Sequence, residues 1–168
     1  SATGRLHVLA NDGSGEFPEV GRTILPDDGA PYHAWSEPVA IDAGPIFSAT
    51  GPADLVIGDR VARSLSVLAN DGRGGFSGRR QDIFIGHHLG DLVVVDLDAD
   101  ADRDIVVANG PTSDSITLLF NDGQGNFSAR AVVAAQAGAA QVAAGHLDAD
   151  GYVDLVVANR LANTVSVY

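Results

Sequence analysis

The stretch Gly145-His146-Leu147-Asp148-Ala149-Asp150-Gly151-Tyr152-Val153-Asp154-Leu155-Val156-Val157-Ala158-Asn159 sets oxygen-bearing residues at alternate positions and then enters a β-branched run. The chain does the same at Asp96-Leu97-Asp98-Ala99-Asp100-Ala101-Asp102-Arg103-Asp104, followed by Ile105 to Asn109. A third copy keeps only its end, Asp54-Leu55-Val56-Ile57-Gly58. Short runs of Val, Ile and Leu bounded by Asp, Gly and Asn read as strands. A second phrase, Asn-Asp-Gly-x-Gly-x-Phe after an alternating apolar run, closes three segments: Leu6 to Phe17, Leu65 to Phe76 and Ile116 to Phe127. A fourth copy begins at Val165-Ser166-Val167-Tyr168. From Leu6 to Leu65 is 59 residues, from Leu65 to Ile116 is 51, and from Ile116 to Val165 is 49. A period of about 50 residues belongs to propellers and solenoids.

Each period holds four strands. In the fullest one they are expected near Leu89–Val95, Arg103–Asn109, Ser115–Asn121 and Phe127–Ala134. Asn-Asp-Gly supplies residues that tolerate positive φ, so the third strand can turn back into the fourth. The alanines between Ala131 and Gly145 favour helix by propensity. The same register one repeat earlier, Ile83 to Val95, is β-branched, so a strand is expected there too. The small side chains would suit a strand crowded near an axis.

The segment from Gly145 to Asn159, followed by Thr164-Val165-Ser166-Val167, resembles the FG-GAP/VCBS repeat, which also builds the propeller of integrin α subunits. The resemblance implies an all-β fold: a β-propeller of four-stranded antiparallel blades with the first strand innermost. Residues 1–168 would form one repeat region with approximate divisions 1–38, 39–86, 87–137 and 138–168. That amounts to about three blades plus one strand, where propellers use four to eight. The expectation is a fragment of a larger propeller, or a subunit that shares a ring with other copies. The start at Ser1 and the lack of methionine suit a processed or excised piece.

Oxygen ligands at alternate positions of a tight loop suit a hard cation such as calcium. Asp96, Asp98, Asp100 and Asp104 can converge, with Asp102 offering its backbone carbonyl. The loop resembles that of calcium-binding blades in the family. It departs at Ala101, where the family has Gly. In the next repeat Asp148, Asp150 and Asp154 remain, with Tyr152 offering a carbonyl, and His146 replaces the first Asp. In the first repeat the aligned positions are Ile46, Ser48, Thr50 and Asp54, and no metal is expected.

Composition narrows the partners. The net charge of −12 repels a phosphate backbone, so nucleic acid is not expected. No apolar run is long enough to span a bilayer, and membrane insertion is not expected. Cysteine is absent, which removes disulfides and thiolate chemistry. No Gly-x-Ser-x-Gly, His-Glu-x-x-His or phosphate loop is present, so an enzyme is not expected. His87-His88 lacks a third zinc ligand at recognisable spacing.

The first repeat carries extra length near Pro26 to Pro38, and this holds the only tryptophan. Tyr32, His33 and Trp35 are therefore candidates for contact with a protein or glycan ligand. The alternative is that Trp35 fills space between blades. The expected function is a secreted or cell-surface, calcium-stabilised binding or adhesion module. The alternatives are a non-catalytic propeller domain of a larger secreted enzyme, or a lectin stacking sugar on the Tyr32–Trp35 loop.

Overall fold

The structure, a computed structural model, describes residues 6–9, 11, 13–17, 22–24, 35–76 and 78–168. Among these there are strands, turns and bends and no helix. The first two strands, β1 (Leu6–Val8) and β2 (Arg22–Ile24), form an antiparallel pair. Blade 1 consists of β3 (Pro38–Gly44), β4 (Asp54–Asp59), β5 (Ser64–Leu68) and β6 (Arg80–Phe84). Blade 2 consists of β7 (Asp91–Val95), β8 (Asp104–Ala108), β9 (Ser115–Phe120) and β10 (Ala129–Ala134). Blade 3 consists of β11 (Ala139–Gly145), β12 (Asp154–Asn159) and β13 (Thr164–Val167). Within every blade the strands are antiparallel and adjacent in chain order.

The first strands lie side by side, β3 against β7 and β7 against β11. Asp42 accepts the Val94 N–H at 2.8 Å, and Asp91 accepts the Val142 N–H at 3.3 Å. The outer strands do not share such neighbours, so the blades radiate from a common inner edge. This is the blade arrangement of a propeller, as the repeat implies. The alanine-rich stretch is indeed two strands, β10 and β11. On the inner strand β11 one close approach to the neighbouring blade is seen at Ala140. A Cβ on Gly90 would stand 2.4 Å from the Ala140 carbonyl oxygen.

Strand alternation gives each blade two apolar faces. Ala40, Val56, Leu65 and Val67 of blade 1 meet Leu89, Leu92, Ile105, Val107 and Leu119 of blade 2 in one core. Val106, Ala108 and Ile116 of blade 2 meet Ala139, Val142, Leu155 and Val157 of blade 3 in a second. Gly58 lets blade 2 pack close at the first contact, since a Cβ there would lie 2.9 Å from Leu89 Cδ2 and displace that side chain.

Polar ties cross the same seams. Arg60 Nε donates to the Leu89 carbonyl, Arg130 donates to the carbonyls of Phe84 and Ile85, and Arg79 donates to that of Gln124. Buried Asn121 reaches from blade 2 to the Ile46 carbonyl of blade 1 at 2.8 Å. Burial of the apolar side chains supplies the stabilisation, at roughly 25 cal/mol per Å². The guanidinium and amide bonds set how the blades align.

Candidate metal centre

The β7–β8 loop begins where β7 ends and is held from below by Asp104, the first residue of β8. Asp104 is fully buried. Its Oδ2 accepts the Leu97 N–H at 2.8 Å and its Oδ1 accepts the Asn121 N–H at 2.9 Å. Asp96 folds the loop over itself, accepting the N–H groups of Ala99 at 2.8 Å and Ala101 at 3.0 Å. Asp100 accepts the Asp102 N–H at 2.9 Å. The tight coil forces Ala99 and Ala101 to φ of 64° and 75°. Left-handed backbone at a residue with a Cβ costs roughly 1 kcal/mol or more.

This coil gathers one carboxylate oxygen from each of Asp96, Asp98 and Asp104, all within 4.8 Å of one another. The expected convergence therefore holds for loop positions 1, 3 and 9. Asp100 is not in the group, and its carboxylate serves the loop backbone. The Asp102 carboxylate turns toward the β9–β10 turn, where a Cβ on Gly123 would lie 2.4 Å from it.

The local field shows the cost of gathering acids. Desolvation, followed by the charges of Asp100, Asp96, Asp122 and Asp98, raises the Asp102 carboxyl above its ordinary value. Burial likewise raises Asp104, against the opposing hydrogen bonds from Asn121 and Leu97. Asp122 moves the other way, lowered by the Asn126 side chain and by the backbone N–H groups of Asn126 and Gln124. A hard divalent cation would relieve the like-charge repulsion, and an all-oxygen donor set is what calcium prefers. The residues fit such an ion: Asp96, Asp98 and Asp104 would hold it and the coiled backbone would orient them.

The β11–β12 loop is arranged differently. Asp154 accepts the Leu147 N–H at 2.6 Å, Asp148 accepts the Asp150 N–H at 2.9 Å, and Asp150 accepts the Tyr152 N–H at 2.8 Å. Asp148, Asp150 and Asp154 do not come together as Asp96, Asp98 and Asp104 do. His146 Nδ1 lies 2.7 Å from the Tyr152 carbonyl oxygen and donates to it. The carbonyl expected to face a metal thus already has an imidazole partner. Gly151 takes φ of 89° at the position where blade 2 has Ala101.

The β3–β4 loop shows what is common to all three. Asp54 accepts the N–H groups of Ile46, Phe47 and Asn70 at 2.8 to 3.0 Å. Ile46, at the place of Asp96, is fully buried in the core. The last Asp of each loop therefore braces the loop, and Asp54 and Asp104 also hold the end of the third strand; the sequence reading gave Asp104 and Asp154 only a metal-binding role. The signal for the brace was legible: Asp54 persists in the loop that lacks the other acids.

The aromatic candidates divide. Tyr32 and His33 lie outside the described residues. Of the two readings of Trp35, ligand contact and packing, the structure bears out packing: it is a core residue, only 5% exposed, and the exposed stacking surface is corrected. It packs with Ile57 and Leu68, its Nε1 donates to Ser66 Oγ at 3.1 Å, and the Arg80 guanidinium lies 5.7 Å from its ring centroid. The apolar side of blade 1 away from blade 2 draws the ring inward. His88 lies 3.1 Å from Arg63, and neither histidine of the pair joins a metal-binding group among the described residues.

Residues 96–157 match the family described as FG-GAP-like repeat. The match begins at Asp96, spans the acidic loop and β8 to β11, and ends within β12. That segment is similar to an FG-GAP-like repeat, in line with the internal phrases. No curated protein matches the chain.

Proposed function

We propose that this chain is a non-catalytic β-propeller module that calcium stabilises and that works outside the cell, binding or adhering to a protein or glycan. The observation that carries the reading is the gathering of Asp96, Asp98 and Asp104 within the FG-GAP-like repeat. Calcium would clip the β7–β8 hairpin end, where two alanines hold left-handed backbone and several carboxylates repel one another. A loop of this kind binds at about 10⁻⁴–10⁻³ M in extracellular modules. Such an affinity is useful only where calcium is abundant. The strand ladders and inter-blade cores carry the fold, and the ion acts locally. No helix is long and apolar enough to cross a membrane.

Isothermal titration of the chain with calcium tests the reading. One site is expected, lost in Asp98→Ala and kept in Asp148→Ala. Absence of any calcium heat at millimolar concentration would sink the proposal, and magnesium binding equally well would replace its metal.

A further inference from the structure

The two seams between blades end differently beside the acidic loops. The seam between blades 1 and 2 is filled from within the chain. Arg79 holds its guanidinium 4.3 Å from the centroid of the Phe47 ring and donates to the Gln124 carbonyl at 2.7 Å. Leu68 and Leu119 occupy one position of the repeat and pair with Arg80 and Arg130. The residue of blade 2 at the place of Arg79 is therefore Ala129. Arg130 itself is turned to the carbonyls of Phe84 and Ile85. The seam between blades 2 and 3 thus receives no guanidinium from blade 2.

A groove of about 240 Å³ opens at this seam, between the β7–β8 and β11–β12 loops. Half-buried Leu97 and Val153 give it an apolar wall, and Asp96, His146 and Tyr152 line the rest. Tyr152 is 63% exposed. His146 commits its Nδ1–H to the Tyr152 carbonyl, which leaves Nε2 as an acceptor. Asp96 keeps lone pairs beyond those that Ala99 and Ala101 engage. The groove offers acceptors and an aromatic face, and it calls for a donor.

Its charge selects the donor. The two loops, with Asp104 and Asp154, hold eight aspartates and one arginine, Arg103. The Arg103 stem lies toward blade 1, its Cγ 3.6 Å from where a Cβ on Gly44 would stand. A divalent ion at Asp96, Asp98 and Asp104 would neutralise only two of the eight charges. A field of this sign draws in cations and repels carboxylates and phosphates.

We propose that this groove takes an arginine side chain from a partner protein. The guanidinium does from outside what Arg79 does within the chain. It lies over the Tyr152 ring, as Arg79 lies over Phe47, and donates to Asp96 and to His146 Nε2. Its methylene stem covers Leu97 and Val153. The inference rests on the reading of a protein-binding module, whose partner chemistry it names, and not on the metal.

The probe is acetyl-Gly-Arg-Gly-amide, titrated into the isotope-labelled chain in chelator and followed by amide resonances. In chelator the outcome does not depend on calcium, so this proposal and the calcium reading fail separately. The amides of Gly151, Tyr152 and Val153 should shift and saturate. The isosteric peptide with citrulline for arginine should leave them in place. Tyr152→Ala should weaken the arginine peptide about two- to fivefold with the melting temperature unchanged, and Tyr152→Phe should bind as the parent does. Equal binding by Tyr152→Ala and the parent, or equal shifts with citrulline, would overturn the proposal. Shifts spread evenly over all the acidic turns would reduce it to a diffuse field and overturn it too. Tighter binding of methyl glucoside at the same amides would make the groove a sugar site, with the same consequence.

Discussion

The β7–β8 and β11–β12 loops start from nearly the same sequence and end in different chemistry. Both place Asp at positions 3, 5 and 9, and both use the ninth to hold the loop's first backbone N–H groups. They diverge at position 1. Asp96 turns its oxygens onto Ala99 and Ala101 and coils the loop until three carboxylates meet. His146 donates to the Tyr152 carbonyl and spans the loop with a single hydrogen bond. The loop with Asp at position 1 gathers its acids and the loop with His there does not. The β3–β4 loop, with Ile46 at that place, shows that the hairpin end can be built by the brace alone.

The strongest way to break this comparison is to remove the brace. Asp54→Ala and Asp104→Ala each leave two or three N–H groups without a partner, one of them buried and the rest part-buried, and each should cost about 2–4 kcal/mol of unfolding free energy. Asp154→Ala should cost less, because Leu147 is exposed and water can replace the bond. Urea unfolding measures all three. If Asp54→Ala were as mild as a surface change, the brace would be a by-product of metal binding and not the common element.

Calcium sharpens the contrast next. With a dissociation constant of about 10⁻⁴–10⁻³ M, 10 mM calcium should stabilise the chain by about 1.4–2.7 kcal/mol, since the ion binds only the folded state. Calorimetry with calcium and with chelator reads this directly. Asp98→Ala should abolish the shift. His146→Asp should enlarge it, by giving blade 3 the first carboxylate it lacks. No change from His146→Asp would place the difference between the loops elsewhere than position 1.

A smaller effect is expected from the backbone. Ala101→Gly should stabilise the metal-free chain by about 1 kcal/mol, and Gly151→Ala should destabilise it by a similar amount. The φ values of 75° and 89° set both signs. Opposite signs in thermal melts would mean that the side chain of Ala101 makes a contact worth more than its strain.

The smallest effect is in acid. Asp122 has a folded value lowered from 3.8 by Asn126 and Gln124, so it adds stability above 3.8 and loses it as pH falls through the lower folded value. Asn126→Ala should therefore lower the melting temperature near neutrality and match the parent once the pH is well below that value. Asp104, raised by burial, has the reverse sign: ionised at neutral pH it subtracts stability, and this is relieved as pH falls through its raised folded value toward 3.8. A parallel offset at every pH would show that Asn126 acts through packing and not through the Asp122 charge.

Much of the architecture could be read from the chain because repetition multiplies weak local signals. One alternating run such as Leu65 to Leu68 is ambiguous, but its return at Ile116 and Val165 in fixed register with Asn-Asp-Gly is not. The strand expected at Ser115–Asn121 is Ser115–Phe120, and the alanine-rich segment was rescued from a helical reading by its β-branched counterpart. The site was legible as a pattern of acids but not as a geometry. Alternation cannot say that Asp100 would bond to the Asp102 backbone, or that Asp102 would turn toward Gly123.

What the sequence determined by itself was the repeat, the strand order within it, and the loops that carry oxygen ligands, because those follow from local pattern and short-range hydrogen bonding. What only the tertiary structure decided was which positions are covered. The sequence leaves Trp35 open between ligand contact and packing until Ile57 and Leu68 are seen to open a face beneath it. Leu65 and Val165 occupy one position of the repeat, yet one is buried and the other lies open, because burial depends on whether another blade packs against that face. Asp54, Asp104 and Asp154 likewise share one letter, and only the packing around each separates buried brace from half-exposed one.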